Sequence, residues 1–442
     1  MLHTKYLFLP LFAVAALSLS AQTVRFDTSL GGIDVVLTPD VTPQTVANFM
    51  AYVNSGEYNN TIIHRSLNAA ENASNGFYLI QGGGYIVKNH LPFLFQPNAP
   101  VMNEFKASNV RGSLAMALQG TDINSAQDEW YFNTSDNSGS LDSQSFTVFG
   151  NVANDASLAV MDSINAVQTF TFDTLTNFPL LNYTTGHTVV DSNYLYVNSI
   201  APITPTDSAP GVVSAATFAS SSTNGISPGE VITVFGNELG PTQLSQPLTL
   251  NSAGLLDATL QGTQVLFNGV PGPMVFTQSG QLAVVTPYGI ANAGTVNVVV
   301  SYLGIQTAPL QFKVVSVNPG LFTVNGSGKG DASIVRPVDS TLINSATPAS
   351  AGDVLELYGE GYGAASPGLA DGAIVAVPFN VPATLLIDGQ KVDTLYAGGA
   401  GGEVNGILQV NFVVPQLTPG SHQIQIQVGS AISPSGVTLQ TK

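Results

Sequence analysis

Four arginines (Arg25, Arg65, Arg111 and Arg336) and five histidines are spread through 442 residues that contain no cysteine. The missing thiols exclude disulfides, thiol catalysis, thiolate metal sites and lipid attachment at cysteine. His187 and His422 stand alone and the acids are scattered, so no metal-ligand cluster is legible. No Ser/His/Asp constellation appears, and GSGKGD at 326–331 lacks the spacing of a phosphate-binding loop. No cofactor is implied. Arg65 follows His64 at the end of an apolar run, and the glycine-rich stretch LIQGGG carries Gln81. Arg111, inside NVRG, reads as structural.

Elements able to position these groups follow from patterning. Residues 24–27 and 33–37 flank Ser29-Leu30-Gly31-Gly32, a hairpin pattern. Thr42 before Pro43 reads as a helix start, an N-cap hydroxyl followed by proline at the first helical position. Val46, Phe49, Met50 and Val53 then recur at i, i+3, i+4 and i+7, and Gly56 ends the helix. The patterning predicts short strands at 62–64, 77–81, 112–117, 130–133 and 146–152, and a second helix at 156–164. Two helices among many strands predict a closed, helix-capped β barrel.

The balance of 11 Lys+Arg against 28 Asp+Glu, a net charge of −17, excludes a nucleic-acid binder working through a basic face. Charged residues make up only 9%, while 44 Gly and 26 Pro favour β-rich domains with turn-heavy connections. At one domain per ~150 residues, the length predicts about three units. Lys5, an apolar run at 6–19 and the small residues Ser18, Ser20 and Ala21 form the pattern of a secretory signal peptide over 1–21. That run contains Pro10 and is shorter than the ~20 residues of a membrane anchor. No later segment is long and apolar enough to span a bilayer. The chain is expected to be exported, ending in the periplasm, at the cell surface or outside.

Residues 203–211, rich in proline, read as a stiff linker between a first domain at 22–202 and the C-terminal half of the chain. Beyond the linker the chain repeats itself. SPGEVITVFGNELGP (227–241) matches SAGDVLELYGEGYGA (350–364), TQVLFNGVPGPMVF (263–276) matches TLLIDGQKVDTLY (384–396), and QLAVVTP (281–287) matches QVNFVVP (409–415). Two tandem β-sandwiches, at 212–318 and 319–442, are expected.

VRFDTSLGGIDVVL, TPQTVANFMAYVNSGEYNNTIIHR, LIQGGGY, NVRGSLAMA and LDSQSFTVFGNV occur in an order and spacing that resembles the cyclophilin-type peptidyl-prolyl cis-trans isomerases, over residues 23–202. The resemblance implies a mainly β fold, an eight-stranded antiparallel barrel capped by two helices. It also implies rotation about X–Pro bonds without a cofactor, with proline-containing polypeptides as partners. Such rotation faces ~18–20 kcal/mol of amide resonance. The catalyst must bind the twisted amide better than either planar form. That needs an apolar cup for the proline ring and a donor for the lone pair developing on the prolyl nitrogen.

By the same resemblance Arg65 is the catalytic donor and Gln81 orients it. Tyr78 and Leu79 line the proline pocket, with Phe77 competing for the place of Tyr78. Ala117 and Leu118 bind the residue before proline, Tyr131 takes the place of a pocket phenylalanine, and Leu141 forms the pocket edge. Three positions depart from the family pattern: Glu129 replaces a binding-site glutamine, Ser140 a tryptophan and Phe146 a histidine. Ser140 implies weak binding of the drug cyclosporin. Glu129, beside Arg65, is expected to compete for its donors.

SPGEVITVFG, VLFNGVPGPMVF and VNPGLF are similar to Ig-like modules of the IPT/TIG kind found on exported bacterial proteins. They imply spacer or docking modules of unknown ligand. The reading is an exported isomerase with two appended Ig-like domains. A catalytically idle proline-peptide-binding or adhesion protein is the alternative that the sequence leaves open. Carbohydrate binding by the pair has no ladder of exposed aromatics behind it, since the only tryptophan, Trp130, lies in the first domain.

Overall fold

The computed structural model describes residues 22–68, 76–247, 250–364 and 368–442. The expected signal peptide and most of the insertion at 68–76 lie outside the described residues. The chain divides into two compact units, one built mainly from residues up to Pro202 and the other mainly from Ile203–Lys442.

In the first unit, β1 (Thr23–Thr28), β2 (Gly31–Leu37), β3 (Thr61–Ile62), β4 (Arg65–Leu67), β5 (Leu79–Gly82), β6 (Tyr85–Lys88), β7 (Leu91–Leu94), β8 (Ser113–Met116), β9 (Trp130–Asn133) and β10 (Val148–Val152) join the strand Tyr196–Pro202 in one sheet. The path runs β4-β5-β9-β8-β10-β2-β1, then Tyr196–Pro202, then β3-β6-β7. Residues 61–67 therefore pair with Tyr196–Pro202 through β3 and with β5 through β4. Inside lie Phe26, Phe49, Trp130, Phe132 and Phe149, all buried, with Phe26 edge-on to Trp130 at 4.9 Å and to Phe132 at 5.1 Å.

Helix α1 (Pro43–Ser55) starts and stops where the sequence predicts, and buries Val46, Phe49, Met50 and Val53. Gly56 ends it at φ +75°, donating to the carbonyls of Tyr52 and Val53. The start has a different chemistry from the one expected. The Thr42 hydroxyl bonds back to the Thr38 carbonyl at 3.2 Å. Glu104 instead accepts from the amides of Gln44 (3.2 Å) and Thr45 (2.8 Å), placing a carboxylate at the positive end of the helix. Helix α2 spans Asp155–Asn165.

The second unit corrects the expected linker. Thr206–Ser214 is a strand paired with Val231–Asn237, its register shifting between Asp207 and Val212. The strand lies at a sheet edge, where proline costs no ladder donor, and Gly211 takes the left-handed φ of +80°. The repeat is present in the pairing itself. Val231–Asn237 pairs with Gln281–Val285, Val231 opposite Val285, as Val354–Glu360 pairs with Leu408–Val413, Val354 opposite Val413. Thr263–Phe267 pairs with Thr295–Tyr302 just as Ala383–Ile387 pairs with Gly420–Val428. Each copy has two sheets around its own core, with Ile232, Val234 and Phe267 in the first and Leu355, Leu357 and Phe412 in the second.

The repeats meet through a buried carboxylate. Glu360 accepts from the Ser214 hydroxyl (2.8 Å) and from the amides of Ala216 and Val231 (both 2.9 Å). Glu230 accepts from the Ser227 amide and the Asn318 carboxamide, both at 2.8 Å. Beside them Val231, Ala283 and Val285 pack with Val404, Ile374 and Ile407 of the second copy.

Candidate functional site

Strand register assembles the site. Arg65 lies opposite Gln81, Gln81 opposite Tyr131, and Tyr131 opposite Ala115, so four neighbouring strands put these residues in one row. Cross-strand neighbours in a row share a face. The row that alternates with it, Ser66, Ile80, Phe132 and Leu114, is buried. The site therefore sits on the opposite side of the sheet from the aromatic core.

Over that row lies a cavity of about 150 Å³, lined by Arg65, Phe77, Leu79, Gln81, Ala117, Leu118, Tyr131, Leu141, Gln144 and Phe146. Leu79, Tyr131, Leu141 and Phe146 make its floor and wall apolar, with Phe146 edge-on to Tyr131 at 5.7 Å. The Tyr131 hydroxyl donates to Asn109 at 2.8 Å, and the Asn109 amide donates to Asp142 at 2.9 Å, which fixes the ring from behind. A polar corner completes the cavity. Arg65 Nη1 donates to Gln81 Oε1 at 3.3 Å, and Gln81 Nε2 donates to Glu129 at 2.7 Å. His64 Nε2 lies 3.5 Å from the same carboxylate.

The electrostatics arise from these contacts. Burial lowers the Arg65 pKa, opposed by the nearby charge of Glu129. Burial would raise Glu129, but hydrogen bonds from His64 and Gln81 and the charges of His64 and Arg65 leave it below the usual carboxylate range. Asp128 is pushed up to about 6, by burial first and by Glu129 second. Adjacent carboxyls thus carry opposite shifts, because the side-chain donors of His64 and Gln81 converge on Glu129. Arg111 is structural, bidentate to Asp162 at 2.8 and 2.7 Å.

Nine of the ten expected site residues reach this region. Arg65, Leu79, Gln81, Ala117, Leu118, Tyr131, Leu141 and Phe146 line the cavity, while Glu129 lines an adjoining depression of about 80 Å³ with Gln127 and Asp128. Tyr78 is the correction. Phe77 faces the cavity instead, because side chains alternate along an extended chain and 77, 79 and 81 fall on one side. Tyr78 is held through its backbone by Asn137, at 2.9 and 2.7 Å. The alternation was available in the sequence. Gln144 carried no motif, and only the tertiary fold brings it to the cavity. A larger groove of about 750 Å³ lies between the hairpin β6–β7 and that of Thr169–Phe172 with Leu175–Pro179. It is lined mostly by apolar residues, with Tyr85, Asp173 and Thr174 as its polar members and no arginine, lysine or histidine among the lining residues. The smaller cavity carries the chemistry.

A protein-family model described as cyclophilin type peptidyl-prolyl cis-trans isomerase matches residues 23–184. Peptidyl-prolyl cis-trans isomerase A of Dickeya dadantii is 32% identical over 174 residues, covering 38% of this chain and 84% of that protein. Peptidyl-prolyl cis-trans isomerase B of Escherichia coli is 35% identical over 156 residues, covering 33% of this chain and 85% of that protein. The peptidyl-prolyl cis-trans isomerase cyp18 of Streptomyces antibioticus is 33% identical over 157 residues, covering 34% and 86% respectively.

Proposed function

Because the chain belongs to the cyclophilin-type peptidyl-prolyl cis-trans isomerases, we propose that Arg65 and the apolar cavity beside it turn X–Pro bonds in exported polypeptides. The proline ring enters the space between Phe77, Leu79, Tyr131, Leu141 and Phe146, while Ala117 and Leu118 contact the preceding residue. As the peptide bond twists, the prolyl nitrogen loses conjugation and regains a lone pair, and the Arg65 guanidinium donates to it. That hydrogen bond exists only in the twisted state, so it lowers the barrier rather than tightening ground-state binding. No bond is broken and no proton is transferred. The observation that carries the reading is Arg65, held by Gln81, at the rim of a ring-sized apolar cavity.

The finer architecture belongs to the same reading. Taking β3 and β4 as one strand interrupted at Ile63 and His64, and β6–β7 as an added hairpin, leaves an eight-stranded closed barrel. The two-sheet repeats serve as Ig-like spacer or docking modules, and residues 1–21 direct export. An NMR titration with a short X–Pro peptide tests the site. Shifts are expected at Arg65, Leu79, Tyr131 and Leu141, with exchange cross-peaks between cis and trans peptide. A peptide that neither shifts these residues nor exchanges faster than alone contradicts the proposal.

A further inference from the structure

Gln81 has a carboxamide with one accepting and one donating end, and its two neighbours have fixed polarity. Arg65 can only donate and an ionised Glu129 can only accept. One orientation satisfies both, with Oε1 toward Arg65 and Nε2 toward Glu129, and it is the one present, at 3.3 and 2.7 Å. Glu129 does not take Arg65's donors in a direct bond, as the sequence suggested; Gln81 stands between them.

The place of Glu129 is itself built. A Cβ on Gly84, whose φ is +67°, would come within 2.8 Å of Glu129 Oε1, and one on Gly83 within 2.4 Å of the Asp128 carbonyl. The glycine run thus leaves room for this carboxylate. His64 approaches it from β4's side, and the Tyr85 ring, 4.6 Å from the His64 ring, backs that histidine. The titratable and charged groups around Glu129 are Tyr58, His64, Arg65, Tyr85 and Asp128.

We propose that Glu129 is a positioning residue: its carboxylate locks the Gln81 carboxamide in the one orientation that presents Oε1 to Arg65, and so aims the guanidinium over the cavity. A glutamine at 129 has a donating end of its own and leaves the Gln81 orientation less determined. A carboxylate here sharpens the aim of the arginine instead of quenching it.

This inference rests on the isomerase reading, and its test separates the two. In isomerase assays of the full chain, Glu129→Ala is expected to lower kcat/KM by ~10-fold, the scale of one charge-assisted hydrogen bond, mostly in kcat. In a Gln81→Ala background the same change is expected to cost less than ~2-fold, because the intermediary is gone. Glu129→Gln should restore most of the loss, since its carbonyl can still accept. Equal losses in both backgrounds, or no loss from Glu129→Ala, would overturn the inference while the wild type stays active. A readout independent of turnover is the Gln81 side-chain NH2 resonance. It is expected to move as acidification protonates Glu129, and to stop moving in Glu129→Ala; a shift that persists in that variant overturns the lock. An inactive wild type would sink the isomerase reading instead, leaving the NMR result to decide the lock.

Discussion

Glu129 in the first unit and Glu360 in the second are both carboxylates drawn out of water, and their surroundings send them opposite ways. Glu129 faces His64, Gln81 and, beyond it, Arg65, so its ionised form is favoured and its side chain keeps 28% exposure beside a cavity. Glu360 is sealed between the repeats, where burial raises its pKa although Ala216, Ser214 and Val231 donate to it, and the neighbouring Glu230 is raised by burial and by Glu360's charge. Perturbed titration alone therefore does not mark a functional site. What separates the two is a cationic partner and an open cavity on one side, and a buried set of two backbone amides and one hydroxyl on the other.

The largest effect is expected from Glu360→Ala. It strands three buried donors, and the second unit is expected to lose about 3 kcal/mol or more by urea unfolding, with isomerase activity unchanged. Activity falling in step with stability would show that the two clusters are not separate in role. Two pairs of equivalent valines differ in burial. Val231 and Val285 are 5% and 1% exposed, whereas their counterparts Val354 and Val413 are 41% and 40% exposed. Val231→Asp should cost about 3 kcal/mol and Val354→Asp within about 0.5 kcal/mol. Equal costs would mean that the outward faces of the two copies are alike.

The pH response is smaller and has a definite sign. Glu230 and Glu360 have folded pKa values raised above their unfolded ones, so the folded unit binds more protons. Their contribution to stability is full below the ordinary carboxylate range and is lost as pH rises through the raised values. The melting temperature of the second unit should therefore fall as the pH is raised past neutrality, and Glu230→Gln, with Asn318 free to reverse its carboxamide, should flatten the fall. A melting temperature that climbs over that range would reverse the assigned shifts. The smallest effect concerns the cavity. Phe77→Ala is expected to raise KM for a proline peptide by ~10-fold and Tyr78→Ala by less than ~3-fold; the opposite ranking would restore Tyr78 to the pocket.

Much of this was legible because it is local. Pro43 and Gly56 punctuate a helix through their own backbone chemistry, and the recurrence of Val231 and Val285 at Val354 and Val413 fixed the repeat and its pairing. The arginine, the glutamine and most of the apolar wall came from motif order. What was not legible depends on distant partners. Glu104 reaches α1 from far along the chain, Glu360 crosses from one repeat to the other, and Gln81 comes between Arg65 and Glu129 only when three strands align. Residues 203–211 misled for a related reason. Proline describes a stiff extended chain equally well in a linker and at a sheet edge, and only a pairing partner distinguishes them.

In the proposed mechanism, Arg65 donates to the prolyl nitrogen only as the bond twists. The most direct measurement is kcat/KM for an X–Pro peptide with the wild-type chain and with Arg65→Ala, alongside their thermal unfolding. A loss of at least ~10²-fold carried by kcat is expected, with an unchanged melting temperature. Equal turnover by the two proteins would contradict it.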